Sequence, residues 1–188
     1  MSEKSSSMTA STDLDAVLAS YAGTSDGATG TCPYPVNEPM IHHWCDAIGD
    51  RNPVYLERDF AAKSTHAGIV APPAMLQAWT MRGLRPDTPA ETAARASAGD
   101  AKSVLQVLDE AGYTSVVATN CEQEYFRYLE PGDQLTHTVE VESVSHEKKT
   151  GLGIGRFLTQ LYTFRDQTGE IVGTMRFRIL KFRPPASA

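Results

Sequence analysis

Residues Gly155–Phe182 read GRFLTQLYTFRDQTGEIVGTMRFRILKF, and this stretch decides the fold class. Two runs rich in β-branched and aromatic residues flank Asp166-Gln167-Thr168-Gly169, a connection built of turn formers. In the second run Ile171, Gly173, Met175, Phe177 and Ile179 recur at every second position, the period of a strand with one face on a core. The spacing predicts a long hairpin, Gly155–Phe164 with Glu170–Phe182. Toward the N-terminus the same period holds in Gln134–Ser145 and in Ser115–Phe126. The breakers Glu130-Pro131-Gly132-Asp133 and Lys148-Lys149-Thr150-Gly151 separate these runs, so the second half of the chain predicts an antiparallel sheet.

Before Gly112 the period lengthens to that of helices. Asn37 is a candidate N-cap, Pro39 fits the first turn, Ile41, Trp44, Cys45 and Ile48 share a face, and Gly49 ends the element. Leu14, Val17 and Leu18 mark a short helix within Asp13–Tyr21, and Val104, Leu105, Leu108 and Ala111 mark another, capped by Asp100 and stopped by Gly112. Ile69–Leu84 (IVAPPAMLQAWTMRGL) is apolar around most of its circumference, which predicts a buried helix entered through Pro72 and Pro73. Gly23–Gly30 has linker composition, and Arg85–Gly99 that of a surface loop. Helices segregated from strands mean α+β. A long central apolar helix wrapped by a curved antiparallel sheet, the hot-dog arrangement, satisfies both patterns. The predicted division is a loosely structured segment 1–32 followed by one domain over 33–185.

The 188 residues hold 17 basic and 23 acidic side chains, a formal charge of −6, which argues against nucleic acid as a partner. No apolar run approaches the ~20 residues that span a bilayer. The first residues, MSEKSSSMTASTDLD, are polar and lack the apolar core of a secretory signal. Cys32, Cys45 and Cys121 are odd in number and scattered, which fits a reducing, cytoplasmic setting.

The most specific string is Gly49-Asp50-Arg51-Asn52-Pro53-Val54-Tyr55, directly after a predicted helix. It resembles the Gly-Asp-x-Asn-Pro-x-His signature of MaoC-like (hydratase-2) hot-dog enzymes: Gly49, Asp50, Asn52 and Pro53 match, and Tyr55 stands where the family has His. The resemblance runs from about Pro35 to Arg183. It takes in Gly68–Met75, like the entry to the family's central helix, and Tyr128-Leu129-Glu130-Pro131-Gly132-Asp133, like a turn between early strands. Within the family the chain is similar to domains forming the non-catalytic half of heteromeric hydratases, including larger subunits acting on steroid side chains, which also carry an OB-type DUF35 region.

That resemblance implies both a chemistry and an assembly. Hydration of a 2-enoyl thioester needs a base to deprotonate water and an acid to protonate Cα, and the family uses an Asp and a His. An imidazole titrates near neutrality, whereas a phenol with pKa ~10 is a poor base at pH 7. Pro72 and Pro73 also lack the N–H groups that a helix start presents to a thioester oxygen. The function implied by the resemblance is therefore the substrate-accommodating subunit of a 2-enoyl-CoA hydratase for a bulky acyl group, its own site reduced to the degenerate Asp50, Asn52 and Tyr55. A smaller MaoC-like catalytic partner, in a heterotetramer, would supply the Asp/His pair. A thiolase partner is implied only if a DUF35 region exists. Coenzyme A enters as part of the substrate, and no cofactor, metal, membrane or nucleic acid is expected. Expected substrate-binding residues are Pro72, Met75 and Trp79 along an acyl pocket, with Arg176 and Arg178 for coenzyme A phosphates.

Other readings stay open at this point. The chain is also compatible with a self-contained homodimeric hydratase or thioesterase using Asp50, or with a non-enzymatic acyl-CoA-binding protein. Asp50 and Asn52 also suit a plain turn, Pro72 and Pro73 a rigid helix start, and Arg176 and Arg178 a solvated sheet face. His42 and His43 lack ligand partners at metal spacing, His66 lies in a loop, and His137 and His146 are expected to face solvent. Gly151–Gly155 precedes a strand, not a helix, so its glycines suit a bulge or a close backbone approach.

Overall fold

A computed structural model describes residues 13–81, 88–89 and 102–184. In chain order the elements are α1 (13–19), β1 (Ser25–Thr31), α2 (Glu38–Ile48), α3 (Pro53–Leu56), α4 (Arg58–Ala61), α5 (Val104–Glu110), β2 (Ser115–Tyr125), β3 (Thr136–Val144), β4 (Lys148–Thr150), β5 (Gly153–Arg165) and β6 (Ile171–Arg183). The strands form one antiparallel sheet in the order β1-β3-β5-β6-β2, with the short β4 also on β5. Each of the four strands expected from the sequence is present, displaced by no more than two residues at either end.

Strand alternation gives the sheet an inner face, on which the helices pack, and an outer face. Phe164, Met175, Leu158 and Ile179 point inward, while Arg176 and Arg178, between them in sequence, point outward. The inner face carries two apolar clusters. The first gathers Ile41 and Cys45 of α2, Val54 and Tyr55 of α3, Met75, Leu76 and Trp79, and the sheet residues Phe164, Val172 and Met175. The second gathers Leu18 of α1, Val104 and Leu108 of α5, and Tyr113, Val141, Leu158 and Ile179. Phe177 packs against both.

Helix α2 forms as its sequence dictates. The Asn37 side chain accepts the Met40 N–H, and Gly49, at φ 73°, closes the C-terminus by donating to Cys45 O. The cap of α5 is Ser103, which makes a capping box with Gln106; Asp100 lies outside the described residues, as does Arg85–Gly99 apart from 88–89.

Two elements differ from expectation. Among the described residues Ile69–Met81 is not a continuous helix but two single 3-10 turns, Pro73–Met75 and Ala78–Thr80, closed by bonds such as Leu76 N–H to Pro73 O and Thr80 N–H to Gln77 O. The two prolines remove donors where an α-helix would begin, and Ala71 N–H is committed to Leu129 O. Burial of Met75, Leu76 and Trp79 nevertheless follows the apolar pattern. The other difference is Gly23–Gly30, whose linker composition conceals β1, so residues 25–31 join the sheet. Its pairing to β3 supplies the order that its side chains do not, with Cys32 N–H continuing onto Leu135 O.

The glycines before β5 serve the sheet itself. A Cβ on Gly153 would lie 2.0 Å from the Arg183 carbonyl oxygen, so β4–β5 approaches β6 more closely than any side chain permits.

Candidate functional site

The degenerate motif forms a tight turn between α2 and α3. Asp50 accepts the Asn52 N–H at 2.9 Å, and Asn52 caps α3 by accepting the Val54 N–H at 3.2 Å. Both side chains therefore hold the turn. The turn in its place fixes Tyr55 on α3, 8% exposed and part of the first cluster. Burial pushes the Tyr55 hydroxyl above its ordinary pKa, aided by the nearby Tyr128, Asp50 and Cys45, while the Asn52 side chain opposes this. Its phenol is thus held protonated at neutral pH and offers no phenolate to serve as a base.

A second loop faces the turn. The ring of His66 lies 4.4 Å from that of Tyr128, and Ala67 beside it holds the left-handed conformation at φ 57°. Sequence patterning assigns Tyr128 no functional role; its proximity to Tyr55 comes from tertiary contact and has no local signal.

Of the expected substrate-binding residues, the structure brings Met75 and Trp79, each 1% exposed, into the same cluster as Tyr55, with buried Pro72 leading into them. It sets Arg176 and Arg178 apart from them on the outer face. Arg176 makes a bidentate contact with Glu142 at 2.8 and 2.9 Å and approaches Glu122 at 3.6 Å. Arg178 lies 4.4 Å above the Phe157 ring. His137 departs from its expected place in solvent. Half-buried, it stacks on Tyr162 and lies tilted against Phe164, beside the backbone of Gly30, and burial lowers its pKa. His146 is exposed, as expected, with Asp15 at 3.0 Å.

At the other end of the inner face the second cluster is bordered by ions. Arg156 of β5, 1% exposed, donates to Asp15 of α1, to Ser145 O and to the Tyr113 hydroxyl. Its cross-strand neighbour Lys181 donates to Asp109 of α5 at 2.5 Å. Tyr113 in turn donates to Glu147, which also accepts from Arg183. Among the described residues no three His, Cys, Asp or Glu side chains gather as metal ligands, and no helix is long and apolar enough to cross a membrane.

An α+β hot-dog domain with this motif turn defines a class, and the comparisons agree. Residues 26–175 match the family described as FAS1-like, dehydratase domain region, and the chain belongs to that MaoC-like hot-dog family. In particular, it is 47% identical over 172 residues to the probable enoyl-CoA hydratase alpha subunit of Thermomonospora curvata, which covers 92% of this chain and 53% of that one. It is also 42% identical over 181 residues to the 3-oxo-4,17-pregnadiene-20-carboxyl-CoA hydratase alpha subunit of Mycobacterium tuberculosis (96% and 55%). The chain spans about half the length of these curated relatives. Among solved structures it superposes on a chain of the ChsH1-ChsH2 complex from Mycobacterium tuberculosis with TM-score 0.74 and 39% identity, covering 96% of this chain and 95% of that one.

Proposed function

We propose that this chain is the substrate-accommodating half of a heteromeric 2-enoyl-CoA hydratase whose catalytic Asp/His pair comes from a smaller MaoC-like partner. The observation that carries this reading is Tyr55, buried in an otherwise intact motif turn where the family has its imidazole. Hydration adds hydroxide to Cβ and a proton to Cα, and this side chain offers neither a base nor a readily released proton at neutral pH. Similarity to two hydratase alpha subunits and to a chain of a two-component complex supports the reading.

One structural feature supports the assembly, and one relative the size of the substrate. Strand β2 is an edge strand exposed along nearly its whole length, including Val116 at 59% and Tyr125 at 41%, with Phe126 at 53% just beyond it; such an edge is an interface awaiting another strand. Similarity to a relative named 3-oxo-4,17-pregnadiene-20-carboxyl-CoA hydratase alpha subunit favours a bulky acyl group, a polycyclic steroid-type one included. In this reading Pro72, Met75 and Trp79 wall the acyl pocket.

The test is hydration of 2-enoyl-CoA esters, bulky and short, by the pure chain alone and mixed with a MaoC-like partner. Turnover in the mixture only is the expected result. Strong turnover by the chain alone overturns the reading in favour of an enzyme using Asp50.

A further inference from the structure

Arg127, just past the end of β2, gathers loops that have no strand or long helix to order them. Its guanidinium donates to both carboxylate oxygens of Asp133, at 2.7 and 3.1 Å, to Asp166 at 2.8 Å and to the Tyr128 carbonyl at 2.9 Å. The two buried acids are held from their other sides. Asp133 accepts the Glu130 N–H, and Asp166 accepts the N–H groups of Thr168 and Glu170 in the β5–β6 turn. Backbone bonds carry this clasp to the site. Ala71 N–H donates to Leu129 O one residue before Pro72, while Val36 and Gly132 bind Asp133 O and Val36 O just ahead of α2. Tyr128, next to Arg127, carries its ring to His66 and lies near Tyr55.

The buried Arg156 joins α1 to β5, two regular elements over an apolar cluster. Arg127 joins loops instead, and each of them borders the motif turn or the entry to Met75 and Trp79. Stability alone is a weak reason for such a cluster, since apolar side chains of similar volume would serve as well. A planar guanidinium fork adds direction, because it fixes two acids and a carbonyl at set angles. A second observation marks the same place. Among the described residues Ala67, beside His66, is the one non-glycine with positive φ, and such backbone persists only where its surroundings over-determine it.

We propose that Arg127 is a positioning residue for the acyl-CoA site. Its clasp on Asp133 and Asp166 holds the Tyr128 ring against His66 and the Leu129 carbonyl against Ala71, which sets the motif turn relative to the Pro72 wall. Arg127 acts through these neighbours and touches no substrate. The proposal rests on the acyl-CoA reading above and adds to it the residue that keeps the site in shape.

Arg127→Lys keeps the charge and loses the fork, whereas Tyr128→Ala keeps the clasp and loses the ring. The ring-proton signals of His66, assigned among the five histidines with His66→Gln, report the Tyr128 ring current in the full chain. Arg127→Lys is expected to move these signals toward their positions in Tyr128→Ala, with a urea midpoint close to that of the wild type. Mixed with a MaoC-like partner, both variants raise KM for a steroid-type 2-enoyl-CoA by about tenfold and leave kcat within about twofold, the pattern of lost binding rather than lost chemistry. Unmoved His66 signals in Arg127→Lys, or a wild-type KM in Tyr128→Ala, overturn the proposal while the acyl-CoA reading stands. A wild-type mixture that does not turn over the ester overturns the two together. Asp166→Asn loosens the clasp from the hairpin side and repeats the His66 measurement where Arg127→Lys folds poorly, with the same shift expected.

Discussion

The two halves of the inner face are built from the same sheet and held in different ways. The half under α1 and α5 is closed: apolar side chains are bordered by cations whose acids come from the helices, Asp15 to Arg156 and Asp109 to Lys181. The half under α2, α3 and the 3-10 turns is as well buried, yet its ring nitrogens have no partners and its covering segment makes no regular helix. One half is closed by ion pairs, and the other is the half that the proposed function assigns to the acyl group. The contrast matters energetically, since the low dielectric of a packed core strengthens a paired polar group and makes an unpaired one costly.

The largest expected effect lies in the closed half. Leu108, fully buried, loses about 2–5 kcal/mol of folding stability on replacement by Ala, measured by urea denaturation, with no selective effect on ligand preference. Replacement of Asp15 by Ala strands the Arg156 guanidinium. Breaking a fully buried pair costs about 3–5 kcal/mol, and the partial exposure of Asp15 reduces this to roughly 2–3 kcal/mol. The acid limb tests the same contact. Although burial alone would raise the Asp15 pKa, hydrogen bonds from Arg156 and His146 hold it below the usual carboxylate value. Its contribution is therefore complete above the unfolded carboxylate pKa of 3.8 and is lost as pH falls through the lower folded value. An Asp15→Asn variant should show a flatter stability profile below pH 4 than the wild type.

Effects in the open half should be smaller in stability and larger in binding. Met75→Leu, which nearly conserves volume, is expected to cost under about 1.5 kcal/mol by the same urea measurement while shifting the preference among bulky acyl-CoA esters. If Met75→Leu proves as destabilising as Leu108→Ala and leaves ligand preference untouched, the contrast between the halves fails. The smallest effect is chemical. Burial pushes the Cys32 thiol up to about 11 and also raises Cys45, whereas Cys121 lies exposed on β2. Iodoacetamide at pH 8 should label one thiol per native chain, and a partner strand on β2 should slow that labelling.

The closed and open halves were unequally legible in the sequence. The strands announced themselves because a half-buried strand must alternate, and α2 because Asn37 and Gly49 supply caps that few other residues provide. The motif turn was readable residue by residue, since Asp50 and Asn52 act within five positions of one another. Strand β1 was not, because its order comes from pairing with β3 rather than from its own Gly- and Thr-rich side chains. The apolar run Ile69–Leu84 correctly announced burial but not helix length, as an all-round apolar pattern carries no information about where i→i−4 bonds stop. Partner atoms, and their absence, were invisible altogether. Nothing local distinguishes a Trp79 with an unpaired N–H from a core tryptophan, or a His137 folded onto Phe164 from one in solvent.

The contact between Asp15 and Arg156 spans 141 residues of chain, which matters while the protein is being made. The anion leaves the ribosome 141 residues ahead of the cation that needs it, which emerges only with β5. At a synthesis rate of about 5–20 residues per second, α1 waits for at least several seconds with Leu14 and Leu18 uncovered. The open half can gather its α2-to-Trp79 segment early, but the closed half is sealed last, by a helix made long before the strand that holds it.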